Sequence, residues 1–255
     1  MKWLGARATI LRHDQSIPRR SVYSPAMHAV VVAHGDAGDL PWLRSQLAAA
    51  DLIIAADGGA AALQRTGVSP HVLVGDLDSI SPAVRLLLAE NGCEVIAHPP
   101  EKDQTDTELA LLLACERGAT SITLAGGFGG ARLDHALANI LLLALPELAG
   151  RDVRLADPAH TVFLLRGPDR RFVSGQPGDL VTLLPLADGA SGVVTDGLRY
   201  PLANETLVFG RSRGVSNELV GSSAVVRVET GSLLIVLHRA GSGPGGSSRG
   251  EATVP

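Results

Sequence analysis

"HVLVGDLDSI", residues 71–80, joins a short apolar burst to a glycine and two aspartates. The burst has the length of a buried strand, and its polar residues come after it. The same arrangement recurs along the first half of the chain. HAVVVA (28–33) runs into Gly35 and Asp36, DLIIAAD (51–57) into Gly58 and Gly59, and SITLAGG (121–127) ends on Gly126 and Gly127. Helical stretches lie between these bursts. Leu40 to Ala49 carries Pro41 near its first turn, and GGAAALQRTG (58–67) is stopped by Gly67. A helix is predicted from Pro82 to Asn91, before the strand CEVIAHP (93–99). TDTELALLLACERGA (105–119) opens with Thr105 and Glu108 in capping-box spacing and ends at Gly118. LDHALANILLLALPEL (133–148) reads as one more helix, followed by the strands DVRLAD and TVFLLR. Short apolar strands alternating with helices predict an α/β fold, with a mostly parallel sheet covered by helices on both faces. Such sheets bind ligands beyond the carboxyl ends of their strands.

After about residue 160 the helical rhythm stops. RRFVSG, DLVTLLPL, SGVVTDGLRYPL, ETLVFG, AVVRVET and SLLIVLH are short strands divided by Gly, Pro and Asp. They predict an all-β sandwich or barrel segment. The chain therefore divides into an N-terminal extension (1–26), an α/β domain (27–158), a β-sandwich domain (159–239) and a Gly/Ser-rich tail (240–255).

Composition narrows the function classes. A formal charge of −4 and a pI near 6.0 give no bulk attraction to nucleic acid or anionic membranes. No apolar run reaches the roughly 18 residues that span a bilayer. The basic N-terminus lacks the uninterrupted apolar core of a secretory signal. Cys93 and Cys115 form no CxxC pair and read as buried thiols of a reducing, cytoplasmic compartment. No Ser-His-Asp arrangement, H-E-x-x-H motif or zinc spacing appears.

The acidic residues carry the chemistry. If strand geometry persists past Gly75, Asp76 and Asp78 turn their carboxylates to one side. Two like charges so close repel each other. A divalent cation removes that cost, and Mg²⁺ with phosphate oxygens suits one or two carboxylates. The competing reading makes Asp78 and Ser79 caps of the helix that begins near Pro82. Asp103 and Asp106 form a second pair at the mouth of the 105–119 helix, where acidic residues also suit the helix dipole. Lys102 stands beside them to meet phosphate. In AGGFGGARLDHALANI (125–140), Gly126, Gly127, Gly129 and Gly130 offer backbone N–H groups to an anion. The loop is neither a P-loop nor a G-x-G-x-x-G fingerprint. Arg132 adds a planar fork of donors for phosphate. Asp134 reads as a helix cap or a ligand-facing group, and His135 and Asn139 as site or core residues.

AADGGAAAL, GVSPHVLVGDLDSI, EKDQTDTELAL, GGFGGARLDHALANI, DGLRYPL and SRGVSNEL, in this order and spacing, resemble the thiamine pyrophosphokinase family over roughly residues 28–238. The resemblance implies an α/β domain that handles ATP and Mg²⁺, and a β-sandwich that helps bind thiamine. It implies a homodimer with thiamine near the interface, and transfer of the pyrophosphoryl group of ATP to the thiamine hydroxyl, with AMP released. Asp76, Asp78, Asp103 and Asp106 would be the catalytic and metal-linked set. Asp57 of "ADGG" would stand near substrate, and Lys102, Gly127, Gly129, Gly130, Arg132, Asp134 and His135 on the nucleotide side. Ser216 and Asn217 would border the thiamine pocket, with Tyr200 where the family often has Trp. Ala131, between Gly130 and Arg132, departs from the family's loop pattern. An aspartate would accept the proton of the thiamine hydroxyl, with Asp78 and Asp103 preferred. A Mg²⁺-dependent phosphohydrolase or nucleotidyltransferase could use the same acidic site, and a nucleotide-binding sensor would bind ATP without turnover.

Overall fold

The computed structural model describes residues 26–129 and 132–241. The N-terminal extension up to residue 25, Gly130, Ala131 and the tail beyond residue 241 lie outside the described residues. The α/β half contains strands β1 (His28–Val32), β2 (Leu52–Ala56), β3 (Val72–Gly75), β4 (Glu94–Ala97), β5 (Ser121–Ala125) and β6 (Asp152–Ala156). Its helices are α1 (Leu40–Ala48), α2 (Gly59–Thr66), α3 (Pro82–Glu90), α4 (Asp106–Glu116) and α5 (Leu133–Leu142). The strands lie side by side in the order β4-β3-β2-β1-β5-β6, and every adjacent pair is parallel.

The period-2 rule explains how both faces are covered. Ala29 and Val31 of β1, and Ala33 just after it, belong to one core with Leu111 and Ala114 of α4. Val30 and Val32 point to the other, with Leu43 and Leu47 of α1 and Leu63 of α2. Local signals set the helix boundaries. Asp39 and Ser81 cap α1 and α3 through their side chains, each with proline in the first turn. Thr105 accepts the Glu108 N–H at 3.2 Å, and Gly67 ends α2 with φ +76°. The helix predicted to run to Leu148 stops instead at Leu142, and Pro146 begins a separate 3₁₀ turn (Pro146–Leu148). Proline supplies no N–H to continue the ladder.

The remaining strands are β7 (His160–Arg166), β8 (Asp169–Ser174), β9 (Leu180–Asp196), β10 (Glu205–Leu207), β11 (Asn217–Glu218), β12 (Ser223–Val228) and β13 (Thr230–His238). β7 pairs antiparallel with β6, so the hydrogen-bonded sheet runs from the α/β half into the β-rich half. DLVTLLPL and SGVVTDGLRYPL were expected as separate strands; their apolar runs join in the single strand β9. Positive φ at Ala187, Gly189 and Gly192 lets β9 bend without breaking. Its first part pairs with β13 and its last with β12, and Leu183, Val193, Val226, Leu233 and Ile235 fill the core that results.

Leu155 of β6 has no exposed surface and belongs to the core beneath the parallel sheet. A Cβ on Gly127 would come within 2.3 Å of its Cδ1, so this side chain supports the glycine loop after β5. Leu155→Ala is expected to lower unfolding stability by about 2–5 kcal/mol, as other buried leucine truncations do. Urea denaturation measures this, and a loss under about 1 kcal/mol would show that the site collapses around the deletion.

Candidate active site

The chain visits β1, β2, β3 and β4 in one direction across the sheet, then returns to place β5 on the other side of β1. That reversal opens a crevice beyond the carboxyl ends of β1 and β5. A cavity of about 590 Å³ occupies it. Its walls include Ala33, His34 and Gly35 after β1, Asp57 after β2, Asp76 after β3, Gly126, Gly127 and Gly129 after β5, Lys102 and Asp106 at the start of α4, and Arg132, His135 and Asn139 of α5.

Asp76 and Asp78 do not continue β3 as an extended pair. The strand ends at Gly75, and Leu77 turns into the left-handed region with φ +64°. This conformation is costly for a bulky residue, and burial of the Leu77 side chain holds it there. Asp78 therefore swings to an exposed position, where Ser79 Oγ donates to its carboxylate at 3.0 Å. Its backbone N–H donates to Asp76 Oδ1 at 3.2 Å. Ser81, and neither Asp78 nor Ser79, caps α3.

The carboxylates that do converge are Asp57, Asp76 and Asp106, whose nearest oxygens all lie within 4.8 Å of one another. Asp57 is 5% exposed and sits at φ +41°, a left-handed turn that aspartate tolerates better than most residues. Gly75 makes the convergence possible. Its φ is +149°, and a Cβ there would stand 3.0 Å from both Asp106 Cγ and Asp57 Cβ. Lys102 Nζ lies 3.3 Å from Asp76 Oδ2 and 3.1 Å from Asp106 Oδ1. The Asp78 N–H, and then Lys102, hold the Asp76 carboxyl below the usual carboxylate range. Burial opposes the charge on Lys102, but Asp106 and Asp76 outweigh it and push its pKa up. Asp103, expected in this cluster, is exposed on the loop before α4 and is not among the described residues that line the cavity. Helix α4 begins only at Asp106, so no helical turn aligns the two.

This arrangement fits a hard divalent cation. Oδ1 of Asp57 is buried without a hydrogen-bond partner among the described residues, and Asp106 Oδ1 meets only Lys102. Buried carboxylate oxygens left unpaired are costly unless a cation or donor meets them. One lysine against three carboxylates leaves the cluster net negative, and Mg²⁺ favours such oxygen donors.

The glycine loop forms the facing wall. Gly126 adopts φ +70°, and a Cβ there would meet the Ala33 carbonyl oxygen at 2.5 Å. Gly35 and Asp36 donate their N–H groups to the carbonyls of Gly126 and Phe128, at 2.9 and 3.0 Å. Buried Asn139 donates Nδ2 to the Gly127 carbonyl at 3.2 Å, so it is both a cavity wall and the tie between loop and α5. Arg132 occupies the N-cap of α5 without capping it, and Asp134 falls in the first turn. Arg132 donates Nε and Nη2, along one guanidinium edge, to the two Asp134 carboxylate oxygens at 2.9 and 2.6 Å, and it depresses the Asp134 carboxyl well below its ordinary value. The pair is exposed and contributes little to stability. Arg132 lines the cavity; Asp134 does not. His34 was not anticipated. It follows β1 directly, and its ring packs where a Cβ on Gly58 would stand, 2.4 Å away.

Tyr200, Ser216 and Asn217 do not line this cavity in the same chain. They form a cluster of their own. Asn217 Oδ1 accepts the N–H groups of Tyr200 and Glu218, at 3.0 and 2.9 Å, and its Nδ2 donates to the Tyr200 carbonyl at 2.7 Å. Ser216 takes φ +58°, and its N–H donates to the Thr182 hydroxyl at 3.0 Å. The Tyr200 ring is exposed.

Comparison with known proteins places both halves. Residues 43–154 match the thiamin pyrophosphokinase catalytic domain, and residues 171–235 match the thiamin pyrophosphokinase vitamin B1 binding domain. The thiamine pyrophosphokinase of Bacillus subtilis is 28% identical over 206 residues, which cover 81% of this chain and 96% of that protein. The crystal structure of thiamine pyrophosphokinase from Bacillus subtilis superposes with a TM-score of 0.73 at 27% identity, covering 84% of this chain and 99% of the other. That of thiamin pyrophosphokinase from Geobacillus thermodenitrificans gives 0.72 at 29% identity, covering 85% and 99%. With both domains matched in order and bacterial enzymes aligned along nearly their whole length, the chain belongs to the thiamine pyrophosphokinase family.

Proposed function

We propose that the chain is an ATP:thiamine diphosphotransferase, which moves the β,γ-pyrophosphoryl group of ATP to the hydroxyl of thiamine and releases AMP. The observation that carries this reading is the acidic trio with Lys102 facing a glycine loop across one cavity, in a chain matched by both family domains. Residues 27–158 would bind ATP and residues 159–239 would bind thiamine. Asp57, Asp76 and Asp106 would hold Mg²⁺, which supplies charge neutralisation at phosphate oxygens when bound. Lys102, Arg132 and the N-terminus of α5 would orient the triphosphate, since each presents positive charge or N–H donors to the cavity. Asp78 lines the cavity outside the trio and is the carboxylate best placed to take the hydroxyl proton. The freed oxygen attacks the β-phosphorus, and the bond from that phosphorus to the α-phosphate oxygen breaks as AMP leaves.

We further infer a homodimer with thiamine near the interface. Exposed Tyr200, Val215 and Val220 flank the Asn217 turn and give the β-rich half an apolar surface beside the strained Ser216. The free thiols of Cys93 and Cys115 suit a reducing, cytoplasmic setting.

Incubation with Mg-ATP and thiamine, followed by separation of products, tests the activity. AMP and thiamine diphosphate are expected. ADP, or phosphate or pyrophosphate released without thiamine, would overturn the reading in favour of another phosphoryl-transfer class. Replacing Asp57 or Asp76 by Asn is expected to lower kcat at least about tenfold, the scale of one lost charge-assisted contact. Asp103→Asn should stay within about threefold, and steady-state kinetics on the folded variants separate these outcomes. Light scattering should give the mass of two chains, and Tyr200→Asp should lower that mass or raise the thiamine KM. A fully monomeric, active wild-type enzyme would remove the dimer.

A further inference from the structure

A second cleft, with a cavity volume of about 360 Å³, lies away from the acidic site, between α1 and strands β6, β7, β8 and β13. Its chemistry is the reverse of the first. Arg154, Arg171 and Arg239 line it, against Asp157 alone, in a chain whose formal charge is −4. The single carboxylate is already engaged. Asp157 accepts the backbone N–H groups of Ala159 and His160 and faces the His160 ring.

The three arginines differ in what they already hold. Arg171 is paired with Asp152 and stacks over the Phe163 ring, with its guanidinium carbon 4.0 Å from the centroid. Arg154 and Arg239 have no carboxylate within 4.0 Å among the described residues. Arg154 donates to the hydroxyl of Thr123 at 3.0 Å and to the side-chain oxygen of Gln46 at 3.3 Å, so neutral groups hold it in place. Arg239 donates only weakly to the Thr161 hydroxyl, at 3.3 Å. Both are partly buried, and both retain unused donors. Arg154, fixed by neutral partners, and Arg239 on the same wall, both partly out of water and without a counter-charge, form a site suited to an anion. Trp42 and the hydroxyl of Ser174 complete the wall.

We propose that this cleft is a second ligand site, and that it takes a small phosphate-bearing molecule through Arg154 and Arg239. The cleft's volume suits a small molecule, and the net negative chain argues against a nucleic-acid strand. The proposal is independent of the thiamine reaction, because no residue of the acidic cavity lines the cleft.

Trp42 supplies the probe. The chain has two tryptophans, Trp3 and Trp42, so Trp3→Phe leaves the cleft residue as the sole tryptophan, excited selectively over the two tyrosines at the red edge of the absorption band. Titration of the full chain with sodium phosphate should change its fluorescence saturably, with a midpoint of about 1 mM. Sodium chloride at matched ionic strength should give no such curve. Arg239→Gln should weaken the midpoint at least about tenfold. Ser174→Glu, a change on an exposed strand position that leaves the arginines in place, should weaken it in the same direction. Lys102→Ala, which removes a cation of the other cavity, should leave it unchanged. A response absent in the parent, lost in Lys102→Ala, or retained in both cleft variants would overturn the proposal.

Discussion

The structure turns on an electrostatic conflict. Three carboxylates share a space in which their oxygens lie within 4.8 Å, and one lysine is set against them. Like charges crowded at a partly buried site are destabilising, and the surrounding chain is shaped to hold them there. Asp57 sits at a left-handed turn after β2, Asp76 follows β3 directly, and the left-handed Leu77 carries Asp78 out of the group. A residue without a side chain, Gly75, gives Asp106 room. The Asp78 N–H and Lys102 favour the charged form of Asp76, and Asp106 and Asp76 in turn favour the charged form of Lys102. Like charges so grouped favour a cation among them, in line with the function proposed for this cavity.

The parallel sheet supplies the rigidity this requires. Strands β1, β2, β3 and β5 are buried on both faces, so their carboxyl ends are fixed relative to one another. The reversal of strand order leaves the crevice open between β1 and β5 while both neighbours stay paired. The β-rich half is hydrogen-bonded onto this frame through β6 and β7. Its Tyr200–Asn217 cluster is tied by its own hydrogen bonds and does not line the acidic cavity.

Much of the frame was legible because it rests on local rules. Apolar bursts of strand length, the Thr105 cap, the prolines of α1 and α3 and the stop at Gly67 each act over a few residues. The fused strand β9 was not legible, because its bend depends on positive φ at Ala187, which the sequence does not announce. The site was half legible. Asp76, Asp106 and Lys102 come together as expected, and Gly127, Gly129, Arg132 and His135 line the same cavity. Asp78 and Asp103 stand outside the cluster, since the i, i+2 rule fails once Leu77 leaves the strand region and α4 starts after Asp103. Asp57 joins through the pairing of β2 with β3, a long-range contact that no local spacing encodes. The arginine cleft was invisible for the same reason, because its three cations are far apart along the chain.

The most direct test of the electrostatic account is the thermal stability of Asp57→Asn, with and without Mg-ATP. The side chain keeps its size and loses its charge. If repulsion among the carboxylates is the governing constraint, the variant without ligand will melt above the parent, and Mg-ATP will no longer raise its Tm. A variant that melts below the parent and still gains the parent's full stabilisation from Mg-ATP would contradict the account.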